Sequence, residues 1–417
     1  MDLSLDLHPN AKGWLLDSVL APHVEAFAAH LRRGRYASIT IHKYFAGIAH
    51  FARWMKSTRR GLAQLDESAV DQFLTQHLPR CNCPTPVLRV RCDLHAACVH
   101  LLCVLRETGA VAMRPVPRSN IDNEIAEFDG YMNNARGLSA STRRNHRRNV
   151  RRFLIWRFAT RPVEISAVRP TEIKKFLAEQ LDKCPSTGNA VALVGALRAY
   201  LRYRSGRGDQ VQPLRAAICS PARWSMSTLP RSLTAQEIER LLTAFPATLP
   251  SRRRGYAMVR CALDLGLRIS EIAKLMLSDI DWRNGTVTLR RNKSRREDVL
   301  PLPVATGRAI ADYLRHERPA TTNQAVFVRR LAPHDASITV DTVARLIRDA
   351  YRRAGLNHGR THALRHSLAR RMVEHGSSIK EVADVLRHRS LNTTLIYAKI
   401  DTPRLAAVAL PWPGSER

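Results

Sequence analysis

Apolar residues along this chain recur mainly at helical spacing. In SIKEVADVLRH, Ile379, Val382, Ala383 and Leu386 fall at i, i+3, i+4 and i+7, which predicts a packed helix ending near Arg387. In the stretch ending VRRFLIWRF, Val150, Phe153 and Leu154, with Trp156 and Phe158 beside them, suit an apolar stripe, and arginines cover the rest of the helix. Thr234-Ala-Gln-Glu237 reads as a capping box that opens a helix through IERLL. One region breaks the period. TVTLR (286–290) and DVLPL (298–302) alternate on either side of the polar turn RNKSRRE, the pattern of a β-hairpin. The expected fold class is mainly α with a small β-sheet inside the last domain.

The helical pattern also repeats. Phe27 aligns with Phe128, Thr40 with Thr142, Phe51 with Phe153, Trp54 with Trp156, and Phe73-Leu74 with Phe176-Leu177. Order and spacing are kept across several helices, so one module of about a hundred residues reads as occurring twice. After the second copy, residues 204–232 are rich in Gly, Pro and Ser and carry no sustained period. The expected organisation is an N-terminal helical module (1–115), a second helical module (116–206), a linker (207–230) and a C-terminal domain (231–417).

Charge narrows the partner. The 417 residues hold 67 Lys+Arg against 36 Asp+Glu, a net charge of +31. Such a field opposes compaction unless a polyanion accepts it, which makes nucleic acid the leading candidate and anionic lipid the second. The helix bearing Arg143, Arg144, Arg147, Arg148 and Arg151 is the candidate DNA contact. The amino terminus lacks the basic region and apolar run of a secretory signal, and no segment approaches the roughly 20 apolar residues of a membrane span. The expected location is the cytoplasm, on DNA.

Eight cysteines at uneven spacings argue for reduced thiols rather than a disulfide framework. RCNCPTPVLRVRCDLHAAC gathers Cys81, Cys83, Cys92, His95 and Cys98, soft ligands suited to a structural zinc. The spacing matches no standard finger, and Cys98 reads equally well as a small core residue.

The richest chemistry lies near the C-terminus. His388 falls at the joint between two helices, and Ser390 or Asn392 can cap the second, which carries Tyr397 nine positions on. One continuous helix would turn the pair to opposite faces, so the break is what can bring them to one pocket. GRTHALRHS sets His362 and Arg365 three apart on one helical face, and GLRISE puts Arg268 just after Gly266, before a helix that Ser270 can cap. Arg268 can also simply pair with Glu271 at i+3. Lys293 occupies the hairpin tip, and with only ten lysines among the 67 basic residues its placement is informative. Two arginines, two histidines, a lysine and a tyrosine suit a phosphodiester. Arginines grip non-bridging oxygens, histidine and lysine move protons, and a phenol can hold phosphate covalently.

GLRISE, a hairpin lysine, HALRHS, LRHRS and a tyrosine nine residues after that histidine together resemble the tyrosine recombinase, or phage integrase, family. The resemblance covers roughly residues 230–400, and the module preceding it is similar to the family's SAM-like core-binding domain. It implies that Tyr397 attacks the scissile phosphate to form a 3′-phosphotyrosyl link. Arg268, Arg365 and His388 would hold the phosphate, His362 would take the phenol proton, and Lys293 would protonate the leaving oxygen. It implies neither ATP nor metal cofactor, double-stranded DNA as partner, a homotetramer on paired sites, and accessory proteins in some members. Two related readings share these residues: a type IB topoisomerase, and a silent DNA-binding regulator that kept the fold. The chain departs from the family where Arg387 replaces a common glycine. A larger side chain is tolerable in a helix's last turn and can reach the DNA backbone there. The tail after Tyr397, which in relatives packs into a neighbouring subunit, is short.

Overall fold

The computed structural model describes residues 7–85, 87–112, 119–183, 186–219, 231–290, 297–356, 361–388 and 390–400. By packing, the chain divides into two compact units, Met1–Ala112 with Thr228–Arg417, and Met113–Ser227. Within the first unit, the N-terminal and C-terminal segments keep separate hydrophobic cores. Among the described residues no helix is long and apolar enough to cross a membrane.

The N-terminal segment consists of α1 (Pro9–Leu16), α2 (Val24–Arg33), α3 (Ser38–Ser57), α4 (Glu67–Gln72) and α5 (Arg91–Glu107). The second unit contains α6 (Asn120–Asn134), α7 (Ala140–Phe158), α8 (Pro170–Lys183), α9 (Thr187–Ser205) and α10 (Gln212–Ala216). The aligned aromatics occupy matching places in the two. Phe51 meets Phe73 edge-on at 5.1 Å, and Phe153 meets Phe176 edge-on at 5.3 Å. Trp54 lies tilted 5.4 Å from Phe73, and Trp156 lies tilted 5.4 Å from Phe176. Edge-to-face pairing of this kind adds about 0.5–1.5 kcal/mol beyond burial and fixes helix register.

The linker expectation needs correcting at its start. Val211, Leu214, Ala217 and Ile218 are buried in the core of the second unit, with α10 between Gly208 and Cys219. A short helix with Pro213 in its first turn lies among Gly, Pro and Arg, too brief to register as periodic. Residues 220–230 lie outside the described residues.

The C-terminal segment opens on α11 (Ala235–Thr243), with Thr234 and Glu237 exchanging the two hydrogen bonds of the expected capping box at 3.2 and 2.9 Å. Then come α12 (Arg252–Asp264), α13 (Ile269–Ile272), β1 (Ile280–Asp281), β2 (Thr286–Leu289), β3 (Asp298–Pro301), α14 (Val304–His316), α15 (Val340–Arg353), α16 (Thr361–Glu374) and α17 (Ile379–Val385). The sheet is antiparallel in the order β1-β2-β3, with Val287 opposite Leu300. β2 and β3 are the hairpin expected from alternation, while two-residue β1 is too short to leave a pattern. α12, whose buried face is apolar apart from Arg254, is the spine against which α14, α15 and α16 pack. A smaller cluster of Ala369, Val373, Val382, Leu386 and Tyr397 closes the end of α16 over α17. That cluster positions the site.

Candidate active site

α12 ends in a sharp turn at Gly266, where φ is +58° and a β-carbon would come within 2.9 Å of Leu386 Cδ2 and 3.0 Å of Leu368 Cδ2. Both the left-handed backbone and the space require glycine. The turn delivers Arg268 as the residue capping α13, two positions before the Ser270 expected from sequence, because the Arg268 backbone N–H donates to Glu271 Oε2 at 2.9 Å. The Arg268 guanidinium donates to Glu271 Oε1 at 2.6 Å, so the simple i+3 pairing is present within the constellation.

α16 brings up Arg365, buried, its two terminal nitrogens donating to the carbonyls of Gly266 and Leu386. These two bonds span both neighbouring chain segments and set the plane of the guanidinium. Burial, with the charges of Arg268 and Arg387 beside it, lowers the Arg365 pKa from the usual arginine range. That is the expected signature of a cation held ready for an anion.

Leu386 caps the end of α17, and Arg387 takes the left-handed conformation, φ +54°. This is the position where the family commonly has glycine. The expectation that Arg387 reaches DNA backbone is overturned. Its side chain is 2% exposed, donates to Glu271 Oε2 at 2.9 Å, and also reaches the carbonyls of Val385 and Gly266. Burial alone would raise the Glu271 carboxyl. Arg387, the Arg268 backbone N–H and the Arg268 charge outweigh it and hold the carboxyl below its usual range.

His388 follows, its Nδ1 2.7 Å from the Thr394 hydroxyl, its ring almost parallel to that of Tyr397 at 6.5 Å. Tyr397 rides on a 3₁₀ segment, Leu395–Ile400, rather than on a full helix. Only 1% of its surface is exposed, and its hydroxyl lies 2.6 Å from His366 Nδ1. Burial pushes the phenol up to about 12, although Arg365 pulls the other way. Burial, then His362 and Arg365, hold His366 down at about 4, and His388 is likewise held at about 4 by burial and the surrounding arginines.

The structure therefore gathers Arg268, Arg365, His388 and Tyr397 around one point. His362 is exposed one turn before His366 on α16, so it is His366 that meets the phenol. His366 was missed from sequence, although two histidines one helical turn apart were a visible signal, and Glu271 was read only as the i+3 partner of Arg268 and not as that of Arg387. Lys293 lies outside the described residues. On α7, Arg144, Arg147, Arg148 and Arg151 are exposed. Arg143 and Arg147 approach Asp129 at 3.7 Å, Arg151 pairs with Asp122, and Arg148 donates to Asn145. The expected metal grouping also changes: Cys98 is buried in the core on α5, Cys92 is exposed and faces Asp93, and His95 is exposed on the same helix. Cys81 and Cys83 instead lie beside His50 and His77. Local spacing could not show this, because both histidines come from earlier helices.

Residues 231–404 match the profile of the phage integrase family, and residues 125–208 match the phage integrase N-terminal SAM-like domain. The integrase/recombinase-type protein y4rA of Sinorhizobium fredii is 32% identical over 400 residues, 95% of each chain. Tyrosine recombinase XerA of Thermococcus kodakarensis is 30% identical over 67% of this chain and 92% of its own. Among solved structures, the XerH site-specific recombinase bound to a palindromic difH substrate superposes with a TM-score of 0.54 at 18% identity, over 69% of this chain and 86% of that one. A lambda integrase dimer bound to a COC′ core site gives 0.52 at 17%, over 70% and 98%. These two likenesses concern the fold. The chain belongs to the phage integrase family, the tyrosine recombinases that carry out site-specific DNA recombination.

Proposed function

We propose that this recombinase cuts and rejoins duplex DNA through a 3′-phosphotyrosyl intermediate on Tyr397, in the service of a mobile element. The observation that carries the reading is the Tyr397 hydroxyl 2.6 Å from a neutral His366, beside Arg365 and His388. The phenol oxygen attacks phosphorus and its proton passes to His366 Nδ1. The bond to the 5′ oxygen breaks, and Lys293 supplies the proton that makes the 5′-hydroxyl. Arg268, Arg365 and His388 stabilise the extra negative charge on the non-bridging oxygens. Burial is the main hold on both histidines, and the phosphodiester's own charge offsets the Arg365 field that adds to it, so substrate binding makes them better proton acceptors. His362, exposed at the rim, is in position to meet the DNA rather than the phenol. No step needs ATP or a metal, because the link to Tyr397 conserves the bond energy.

The test is a covalent trap. Duplex DNA from the ends of the gene's own element, nicked near the exchange point, is incubated with the protein in chelator and without nucleotide. A denaturation-resistant protein–DNA adduct with a free 5′-hydroxyl is expected. Sequence-specific binding with no adduct on any border substrate would favour a silent regulator. Unspecific relaxation of supercoils without strand exchange would favour a topoisomerase.

His366→Ala is expected to slow cleavage about 10²-fold at neutral pH, and His362→Ala by much less. In the wild type, kcat/KM should fall on the acid side only toward pH 4, where His366 gains its proton in the free protein. An acid limb near the ordinary histidine value of about 6.5 would remove His366 as the base.

The second unit is proposed to contact the DNA backbone through α7, the N-terminal module to be a duplicate of it, and the active assembly to be a tetramer on two duplexes. Among the described residues no carboxylate pairs with Arg144 or Arg148. Replacing both by Ala should therefore reduce the slope of log K against log salt by about 2 while preserving helicity. An unchanged slope would take α7 out of the interface.

A further inference from the structure

We infer that the N-terminal module holds a structural zinc ion between His50, His77, Cys81 and Cys83. The two imidazole Nε2 atoms and the two Sγ atoms all lie within 4.8 Å of one another. His50 Nε2 lies 3.3 Å from His77 Nε2 and 3.2 Å from Cys81 Sγ, and His77 Nε2 lies 3.7 Å from Cys83 Sγ. A tetrahedral zinc with ordinary bond lengths puts its nitrogens about 3.4 Å apart and each nitrogen about 3.6 Å from a sulfur. The spacing thus fits one small ion at the centre of the four.

The surroundings orient these donors. His50 is fully buried in the middle of α3, and its Nδ1–H donates to the Leu88 carbonyl at 3.0 Å. That bond leaves the Nε2 lone pair facing the cluster, the arrangement that fixes a ligating histidine. The Cys83 backbone N–H donates to Cys81 Sγ at 3.4 Å, which stabilises negative charge on that sulfur. His77 is turned inward by a π-helical turn, Phe73–His77, where the Leu78 N–H reaches back to the Phe73 carbonyl. Such turns interrupt a helix to re-aim one side chain and cluster at functional sites.

The second copy of the module shows what the ion replaces. In the aligned register His50 corresponds to Arg152 and His77 to Gln180, and there the Arg152 guanidinium donates directly to the Gln180 amide oxygen. A polar bridge between the same two helices is thus made by two long side chains in one copy. In the other, two histidines reach less far, and the Cys-x-Cys loop supplies the remaining ligands. Two thiolates and two imidazoles in a closed tetrahedron favour zinc over harder cations and over redox iron. On loading, Cys81 and Cys83 each lose a thiol proton to solvent and no electron changes hands. The ion has no part in strand transfer. It ties the irregular segment after α4 to α3.

The untagged full chain, purified under reductant without chelator, is expected to contain about one zinc per chain by plasma mass spectrometry. Cys81→Ser/Cys83→Ser should contain none, and Cys92→Ser/Cys103→Ser should keep the full complement. Should the first variant misfold by circular dichroism, cobalt titration of the stripped wild type decides. Tetrahedral ligand-field bands with sulfur-to-cobalt charge transfer, saturating at about one equivalent and releasing about two protons, are expected. Wild type that takes up neither ion stoichiometrically, or zinc retained after loss of both Cys81 and Cys83 in a folded variant, would overturn the assignment.

Discussion

Phenylalanine at position 397 is expected to lower adduct formation on nicked duplex by at least about 10³-fold while leaving duplex affinity nearly unchanged. The substitution removes one oxygen from a ring packed among Ala369, Val373, Val382 and Leu386, so the local core keeps its volume. The remaining cost is an unpaired His366 nitrogen, about 1 kcal/mol, too little to unfold the domain. Loss of chemistry with retained binding therefore isolates the nucleophile from the scaffold. The readout is a denaturing gel of labelled DNA, with a filter-binding titration on the same preparations. A protein-linked band from Tyr397→Phe would remove Tyr397 from the reaction. A phenol is already protonated at neutral pH and burial raises its pKa further, so the DNA-free chain carries no standing nucleophile. Activation then depends on His366 and on the arrival of phosphate.

Much of this site was legible because it is carried by short local signals. Gly266 with Arg268, His362 with Arg365, and His388 nine residues before Tyr397 each sit within one turn or one joint, where periodicity and capping fix the geometry. The same reasoning gave the β2–β3 hairpin and the Thr234 box. It failed where partners are distant in sequence. Glu271 meets Arg387 from 116 positions away, and no periodicity reports that contact. His50 and His77 approach Cys81 and Cys83 only once α3 and the π-turn have packed. The choice between His362 and His366, one helical turn apart, depends on which end of α16 the Tyr397 segment crosses. That is a tertiary fact.

The Glu271–Arg387 pair leads to the second large effect. Glu271→Gln is expected to destabilise the C-terminal domain by about 3–5 kcal/mol, because the buried Arg387 guanidinium loses its counter-ion and cannot reach water. The sign with pH follows from the depressed carboxyl. Its contribution is complete above the ordinary carboxylate range and is lost as pH falls through the folded value below that range. Wild type and variant should therefore differ widely in urea midpoint at pH 7, begin to converge as pH falls below the ordinary carboxylate range, and meet only below the depressed folded value. A constant gap down to acid would show that Glu271 acts by packing rather than charge. Arg387 supplies the complementary arm of a double-mutant cycle. Arg387→Gly removes the orphan cation and suits the left-handed backbone at φ +54°. In the Glu271→Gln background it should restore part of the lost stability, whereas independent effects would make the double variant worse than either single one. The same cycle read by cleavage rate tests whether this ion pair positions Arg268, which shares the Glu271 carboxylate at 2.6 Å. If it does, the double variant regains folding but not full activity, because Arg268 still lacks the carboxylate that aims it at the phosphate.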